Sequence, residues 1–411
     1  MTGLHIAMIG QRGLPASWGG VEHHVEELGS RLVERGHQVT VFCRTNYVSE
    51  RPREYRGMQL RYVPTVGTKH LDAIVHSALS TARLVAMGVD IVHYHQPGPS
   101  VAGLFSRYLS RIGMVVTIHG LVGRRSKWGT ASRRAIRGME WLAAHVPHAT
   151  ITVAQHIRGE IADRYGRPSW YIPNGVTEPV RRPADAITTD LGLIPHRYVL
   201  FVGRLIPEKA PDLLLRAFRR VPGDLRLVLA GNSSFTNDYV RHLRALASHD
   251  DRVVFAGYVH GGVLEELYTN AALFVLPSYH EGLPLTLLEA ASFGIPLIVS
   301  DIDAHREIVA TDEPGRRIFR RGDDASLASV INRSLADLDQ ERGSASTFSS
   351  VICKTYGWDR AVVETERVYE FVRERQRTEP GRTHHRHPNA THPTGLAPTL
   401  PVDGNGSTDL R

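Results

Sequence analysis

The sequence predicts an α/β protein made of two doubly wound, Rossmann-like domains, each on a parallel sheet. Three observations predict it. Short apolar runs alternate with longer helix-like segments, this alternation occurs twice, and a polar, proline-rich stretch separates the two series. The length agrees, since 411 residues of 42% hydrophobic composition exceed what one core normally fills.

In chain order the first series of runs is LHIAMIG, QVTVFC, DIVHYH, GMVVTIHG and ATITVA. The second is YVLFVG, LRLVLAG, RVVFAG, ALFVLPS and PLIVSD. Most are apolar on consecutive residues, the pattern of strands buried on both faces of a parallel sheet. Segments between them, such as 20–35 (GVEHHVEELGSRLVER) and 211–221, place apolar residues at helical spacing. Such alternation builds right-handed βαβ units. The pattern pauses over 174–195, giving a linker between a first domain over 1–180 and a second over 190–357. A last helical pattern covers 358–376, with Ala361, Val362, Val368 and Phe371 as its apolar positions. Residues 377–411 are rich in Pro, Gly, Thr and His and are expected to be disordered, because they bury too little surface to offset ordering entropy. Their His384, His385, His387 and His392 offer adventitious metal binding only.

The net charge of +7 is spread over many segments and does not single out nucleic acid as a partner. Cys43 and Cys353 provide no disulfide framework and fit a reducing compartment. The amino terminus passes from LHIAMI straight into a polar loop, leaving no room for a signal peptide, and no apolar stretch approaches the ~20 residues that span a bilayer. The expectation is a soluble cytoplasmic protein that touches the inner membrane face peripherally.

In open parallel sheets, ligands bind beyond the carboxyl ends of the strands, so the residues just after each run carry the chemistry. After the first run, Gly10 to Gly20 form a glycine-rich loop opening a helix, suited to an anion or equally to a plain turn. It lacks the G-x-G-x-x-G dinucleotide fingerprint, which argues against a nicotinamide dehydrogenase. After YVLFV, GRLIPEK carries Arg204 and Lys209, able to converge on a diphosphate. By spacing alone, two solvated cations with Lys209 paired to Glu208 is the simpler account. His119 ends GMVVTIHG and can hydrogen-bond a sugar hydroxyl or be satisfied locally. His93 and His95 share one face of a strand and, lacking a third ligand at a sensible spacing, read as packing or supporting residues.

PSYHEGLPLTLLEA is the most informative stretch. A helix is expected to start near Pro284, leaving Glu281 in the loop at a strand end. Gly282, Leu283, Leu285 and Thr286 then supply backbone N–H groups, and Glu289, about one and a half turns on, leans back toward the same helix end. A phosphate, a hydroxylated sugar and a second hydroxylated ring would satisfy every group, as a nucleoside diphosphate sugar does.

Here the residues resemble a known family. EGLPLTLLE resembles the E-x7-E motif of retaining glycosyltransferases of family 4, which have the GT-B fold, two such domains facing across a cleft. Gly19-Gly20, His119, GRLIPEK, IPNGV and the helix over 358–376 follow in the family's order, covering the chain to about residue 376. The start, IGQRGLPASWGGVEHHVEELGSRL, is also similar to bacterial polysaccharide rhamnosyltransferases.

The resemblance implies that Arg204 and Lys209 hold the donor diphosphate, that Glu281 binds donor-sugar hydroxyls and Glu289 the ribose. It further implies donor contacts from Gly19, Gly20, Gly282, Leu283, Pro284, Leu285 and Thr286, and His119 at the reaction centre. No metal or other cofactor is implied, because cations and a helix end supply the electrostatics. Departures are Ala210 after Lys209 where glycine is frequent, Gly120 after His119 where an acid is frequent, and DIDAHREIV without a glycine pair. They leave every needed charge in place and leave base and sugar open.

Residues 124–137, RRSKWGTASRRAIR, carry six basic residues and no acid before Met139, Trp141 and Leu142, so 124–142 can lie on an anionic membrane or be a solvated helix face. The former would suit a glycan or lipid-linked acceptor. A sugar-nucleotide epimerase and a non-catalytic carbohydrate-sensing scaffold are the competing readings. E-x7-E disfavours the first and the complete diphosphate clamp the second.

Overall fold

The computed structural model describes residues 3–16, 19–47, 51–65, 72–84, 86–121, 130–232 and 237–378. Residues 122–129, among them Arg124 and Arg125, and residues 379–411 lie outside them.

The first domain runs β1 (His5–Ile9), α1 (Gly20–Glu34), β2 (Gln38–Arg44), β3 (Glu54–Tyr55), β4 (Met58–Val63), α2 (Asp72–Leu84), β5 (Ile91–His95), α3 (Pro97–Ser100), α4 (Gly103–Leu109), β6 (Gly113–Ile118), α5 (Thr130–His145), β7 (Ala149–Thr152), α6 (Gln155–Tyr165) and β8 (Trp170–Tyr171). The second runs α7 (Ala186–Thr189), β9 (Tyr198–Val202), a 3-10 turn at Pro207–Lys209, α8 (Pro211–Phe218), β10 (Arg226–Ala230), α9 (Asn237–Ala247), β11 (Val253–Gly257), α10 (Gly262–Thr269), β12 (Leu273–Leu276), α11 (Leu285–Ser292), β13 (Leu297–Ser300), α12 (Asp303–Val309), β14 (Arg316–Phe319), α13 (Asp324–Ala336) and α14 (Leu338–Thr355). A final helix, α15 (Trp358–Thr378), returns to the first domain.

The first sheet has the order β3-β4-β2-β1-β5-β6-β7-β8 and the second β11-β10-β9-β12-β13-β14. Every described pairing within them is parallel except the β3–β4 hairpin. Strands β5, β6, β9, β12 and β13 are buried along their whole length, which is why, apart from the two histidines of β5, they are largely apolar on consecutive residues. Each fully buried Val, Leu or Ile contributes about 1.5–3 kcal/mol, so these central strands hold the two cores.

All ten apolar runs are strands, and β3, β4, β8 and β14 are additional to them. The reason is their position. Strands β4 and β14 read MQLRYV and RRIF and are only partly buried, so polar residues break the apolar signal.

Two features tie α15 to the first domain. Glu366, 4% exposed, accepts from Arg35 Nε at 2.7 Å and lies 3.1 Å from His37 Nε2. Burial alone would raise its carboxyl, but these two partners hold it below the usual range. Tyr369 Oη lies 2.7 Å from His93 Nδ1 beneath the sheet. At the crossover the chain passes itself, with Val176 N donating to Tyr356 O at 2.6 Å. Gly175 has to be glycine there, because a Cβ would stand 2.4 Å from the Trp358 ring.

Candidate active site

In each sheet the winding reverses between two neighbours, β1 and β5 in the first, β9 and β12 in the second. Chains leaving those neighbours diverge and open a crevice. In the second domain the crevice lies between the turn after β9 and the loop after β12. The two loops are stitched together by Tyr279 N, which donates to Glu208 O at 2.9 Å.

Lys209 Nζ donates to Glu281 Oε1 at 2.5 Å, and Ser278 Oγ donates to the same oxygen at 2.7 Å. The lysine and glutamate side chains are 15% and 9% exposed. Burial by itself would raise the Glu281 carboxyl, and the adjacent ammonium with these two hydrogen bonds holds it below the ordinary carboxylate range. Lys209 thus pairs across the crevice with Glu281 and not with its neighbour Glu208. The 3-10 turn makes this reach, and it ends on Ala210 at φ 51°, ψ 42°. That left-handed conformation is the physical reason a glycine is frequent there. Arg204, two residues beyond the end of β9, is exposed.

Helix α11 starts at Leu285, with Pro284 as its cap residue at φ −72°, ψ 113°, one position later than the sequence suggested. The Pro284 carbonyl accepts from Leu287 and Leu288, each at 3.2 Å. The N–H groups of Leu285 and Thr286 meet no partner among the described residues, nor does the buried Thr286 hydroxyl. Two orphan donors at a helix N-terminus favour an anion. Glu289 accepts from Tyr268 Oη at 2.9 Å and lies 3.6 Å from His23 Nε2 on α1, with 24% of its side chain exposed to the cleft. Burial raises its carboxyl above the usual range.

The first domain comes directly against this loop. A Cβ on Gly282 would lie 1.8 Å from the His119 carbonyl oxygen, and one on Gly20 would lie 3.5 Å from Leu285 Cδ1. Asn174 spans the cleft, its Nδ2 donating to the Leu283 carbonyl at 2.8 Å and its Oδ1 lying 3.0 Å from His24 Nδ1. The structure therefore brings Gly20, His119, Lys209, Glu281 to Leu285 and Glu289 around one cleft, with Gly19 capping α1 and Arg204 exposed in the turn after β9. The glycine-rich loop already has anionic partners: buried Glu22 accepts from Arg12 N at 2.9 Å and Glu26 from Ala16 N at 2.8 Å.

His93 is a packing residue, with Tyr369 on one nitrogen and Thr117 Oγ1 at 2.6 Å from the other. His95 is not so fully engaged. Its Nδ1 lies 3.2 Å from His119 Nε2, while its Nε2 has no partner among the described residues. Ser278, Asn174, His24 and His305 also belong to the site's walls. The segments that hold them, PSYHEGLPLTLLEA, IPNGV, GVEHHVEELGSRL and DIDAHREIV, stand out in the sequence, but none of these four side chains does. His305 sits in DIDAHREIV, fully buried, its Nδ1 2.9 Å from Ser300 O and its imidazole lowered to about 4 by burial. Ser300 Oγ in turn donates to Ser278 O at 2.5 Å, linking this loop to the Glu281 loop.

Comparison with known proteins now decides the class. Residues 18–178 match the profile of Glycosyltransferase Family 4, and residues 196–337 that of Glycosyl transferases group 1. The chain is a glycosyltransferase of the GT-B fold. An uncharacterized glycosyltransferase of Methanocaldococcus jannaschii is 26% identical over 394 residues, covering 90% of this chain and 99% of its own length. A D-inositol 3-phosphate glycosyltransferase of Xylanimonas cellulosilytica is 26% identical over 408 residues, covering 92% and 97%. Among solved structures, sucrose-phosphate synthase from Thermosynechococcus elongatus superposes with a TM-score of 0.78 at 21% identity, covering 89% of this GT-B chain and 98% of its own. HepE of Anabaena, in complex with UDP-glucose, superposes with a TM-score of 0.74 at 18% identity, covering 89% and 100%. Both family profiles describe glycosyl transferases, so neither the epimerase nor the non-catalytic scaffold is favoured.

Proposed function

We propose that this enzyme moves a sugar from a nucleoside diphosphate sugar to a hydroxyl acceptor with retention of configuration, in polysaccharide or glycoconjugate assembly. The observation that carries the reading is the convergence of Lys209, Glu281 and the free N-terminus of α11 at the winding reversal of the second sheet. Lys209 and Arg204 neutralise the diphosphate leaving group, and the Leu285 and Thr286 N–H groups take phosphate oxygens. Glu281 accepts from donor-sugar hydroxyls and Glu289 from the ribose, while His119 faces the reaction centre from the first domain. These groups supply positive electrostatics without a metal ion. Attack occurs on the face the leaving group vacates, a donor phosphate oxygen receiving the acceptor's proton, so no side chain serves as covalent nucleophile. The nucleotide and UDP-glucose complexes of HepE support a donor of this class. The amino-terminal likeness to rhamnosyltransferases supports polysaccharide assembly.

A thermal-shift panel with UDP, GDP, dTDP and ADP tests the donor site. A nucleotide at ~100 times its dissociation constant adds about 2.7 kcal/mol and raises the midpoint by a few degrees. The shift is expected with at least one nucleotide and is expected to vanish in Arg204→Ala. Absence of any shift would remove the donor assignment.

The acceptor side faces a membrane in this proposal. On α5, Arg133, Arg134 and Arg137 are exposed and Trp141 is 48% exposed. Helix α4 lies beside the end of α5, where Arg107 Nε donates to Val146 O at 3.2 Å, and it exposes Phe105 and Tyr108. Arginines with aromatics of this kind suit an anionic interface. Changing Arg133, Arg134 and Arg137 together to glutamate is expected to abolish cosedimentation with phosphatidylglycerol vesicles. Sedimentation equal to the parent's would end the membrane reading. Among the described residues no helix is long and apolar enough to cross a membrane.

A further inference from the structure

Three imidazoles converge where the first sheet reverses its winding. His24 comes from α1, His95 closes β5 and His119 follows β6. Ring centroids are 4.5 Å apart for His24 and His119, 5.4 Å for His24 and His95, and 5.5 Å for His95 and His119. One ring nitrogen from each lies within 4.8 Å of the other two. His24 and His95 are 5% and 0% exposed, and His119 opens partly to the cleft.

Their hydrogen bonds leave nitrogens over. Because Asn174 Nδ2 donates to the Leu283 carbonyl, its Oδ1 faces His24, and the proton of that imidazole sits on Nδ1. His24 Nε2 therefore carries a lone pair, and this buried atom meets no partner among the described residues. His95 Nε2 also meets no partner among the described residues. A single 3.2 Å contact joins His95 Nδ1 to His119 Nε2. Buried polar atoms are normally paired, so the orphaned lone pair of His24 Nε2, beside two further imidazoles, points to a missing ligand. Burial keeps all three rings neutral at physiological pH, His24 lowered to about 4 and the other two well below their ordinary value. Neutral imidazole is the form that binds metals.

We propose that His24, His95 and His119 bind a borderline transition-metal ion, Zn2+ by ligand chemistry, through three ring nitrogens with a fourth position open to the cleft. An all-imidazole set without carboxylates suits Zn2+ and its neighbours and not Mg2+ or Ca2+. Zn–N bonds of about 2.0–2.1 Å in a tetrahedron set nitrogen–nitrogen edges of about 3.3 Å. The His95–His119 contact already has that length. Asn174 orients His24 from behind, as outer-shell partners of ligating histidines do. Resting on the transferase reading, in which His119 faces the donor sugar, a bound ion would occupy the sugar's place, making the site inhibitory.

The experiment is a calorimetric titration of the full chain with Zn2+, in a background where His384, His385, His387 and His392 are changed to asparagine to remove binding by the tail. One equivalent is expected to bind, and His24→Gln or His95→Gln is expected to weaken it at least tenfold. Undiminished binding in both variants, or no binding in the background protein, would overturn the site. The nucleotide thermal shift is measured on each variant in parallel. A retained shift shows that the variants fold and that the donor reading stands, whichever way the zinc result falls.

Discussion

Lys209→Ala is expected to lower turnover by about 10²–10³-fold, the usual effect of removing one preorganised electrostatic group from a transition state. The ammonium touches Glu281 in a crevice where both side chains are nearly buried, so it sits in a low effective dielectric and would need no reorganisation to meet the proposed diphosphate. Its removal also strands the Glu281 carboxylate, which costs stability of the order of 3–5 kcal/mol if the pair is fully desolvated. The double variant Lys209→Met, Glu281→Gln separates the two effects. It is expected to recover the thermal midpoint while staying inactive. Glu281→Gln alone is expected to keep nucleotide binding, because Lys209 and the α11 N-terminus remain, and to lose most of kcat. Steady-state kinetics beside thermal unfolding decide it, and near-normal kcat in either single variant would withdraw that residue's role. The pH sign follows from the depressed Glu281 carboxyl. Its contribution to stability is present above the unfolded value of about 4.3 and is lost as pH falls through the lower folded value.

How far the sequence discloses this site depends on whether a residue's partners are near it in the chain. The central strands were legible because burial on both faces makes them apolar without interruption, whereas β4 and β14, with arginines on partly exposed faces, gave no such signal. Glu281 and Glu289 were legible because a strand, a Gly-Leu-Pro turn and a helix place them within one segment. The partner of Lys209 was not. Glu208 is adjacent in sequence, and only the 3-10 turn and the pairing of β9 with β12 bring Glu281 across 72 positions. The histidine cluster was hidden for the same reason. His93 and His95 announced a pair on one strand face, but the imidazoles that complete the group come from α1 and from the end of β6, distances no spacing rule covers. The Pro284 cap shows a subtler limit, since a proline fits both the cap and the first helical position and only the backbone angles distinguish them.

Gly282→Ala is expected to reduce kcat/KM by about 10²-fold or more, the scale on which an ångström of misplacement acts. The added methyl would stand 1.8 Å from the His119 carbonyl oxygen and 3.0 Å from its carbon. Both are backbone atoms at a strand end, so no side chain can rotate away, and the Glu281 loop or the whole second domain has to retreat from His119. Overpacking of this kind costs about 1–3 kcal/mol. Gly138→Ala is the control, since a Cβ on that exposed α5 position meets nothing within 4 Å. The nucleotide shift of Gly282→Ala adds the decisive contrast, because the groups proposed to hold the diphosphate belong to the second domain and the clash lies between domains. Nucleotide binding near the parent's with turnover collapsed would mean that transfer requires the cleft closed on His119. Turnover near the parent's would mean that the reacting state is more open than this one, and His119 would leave the reaction centre.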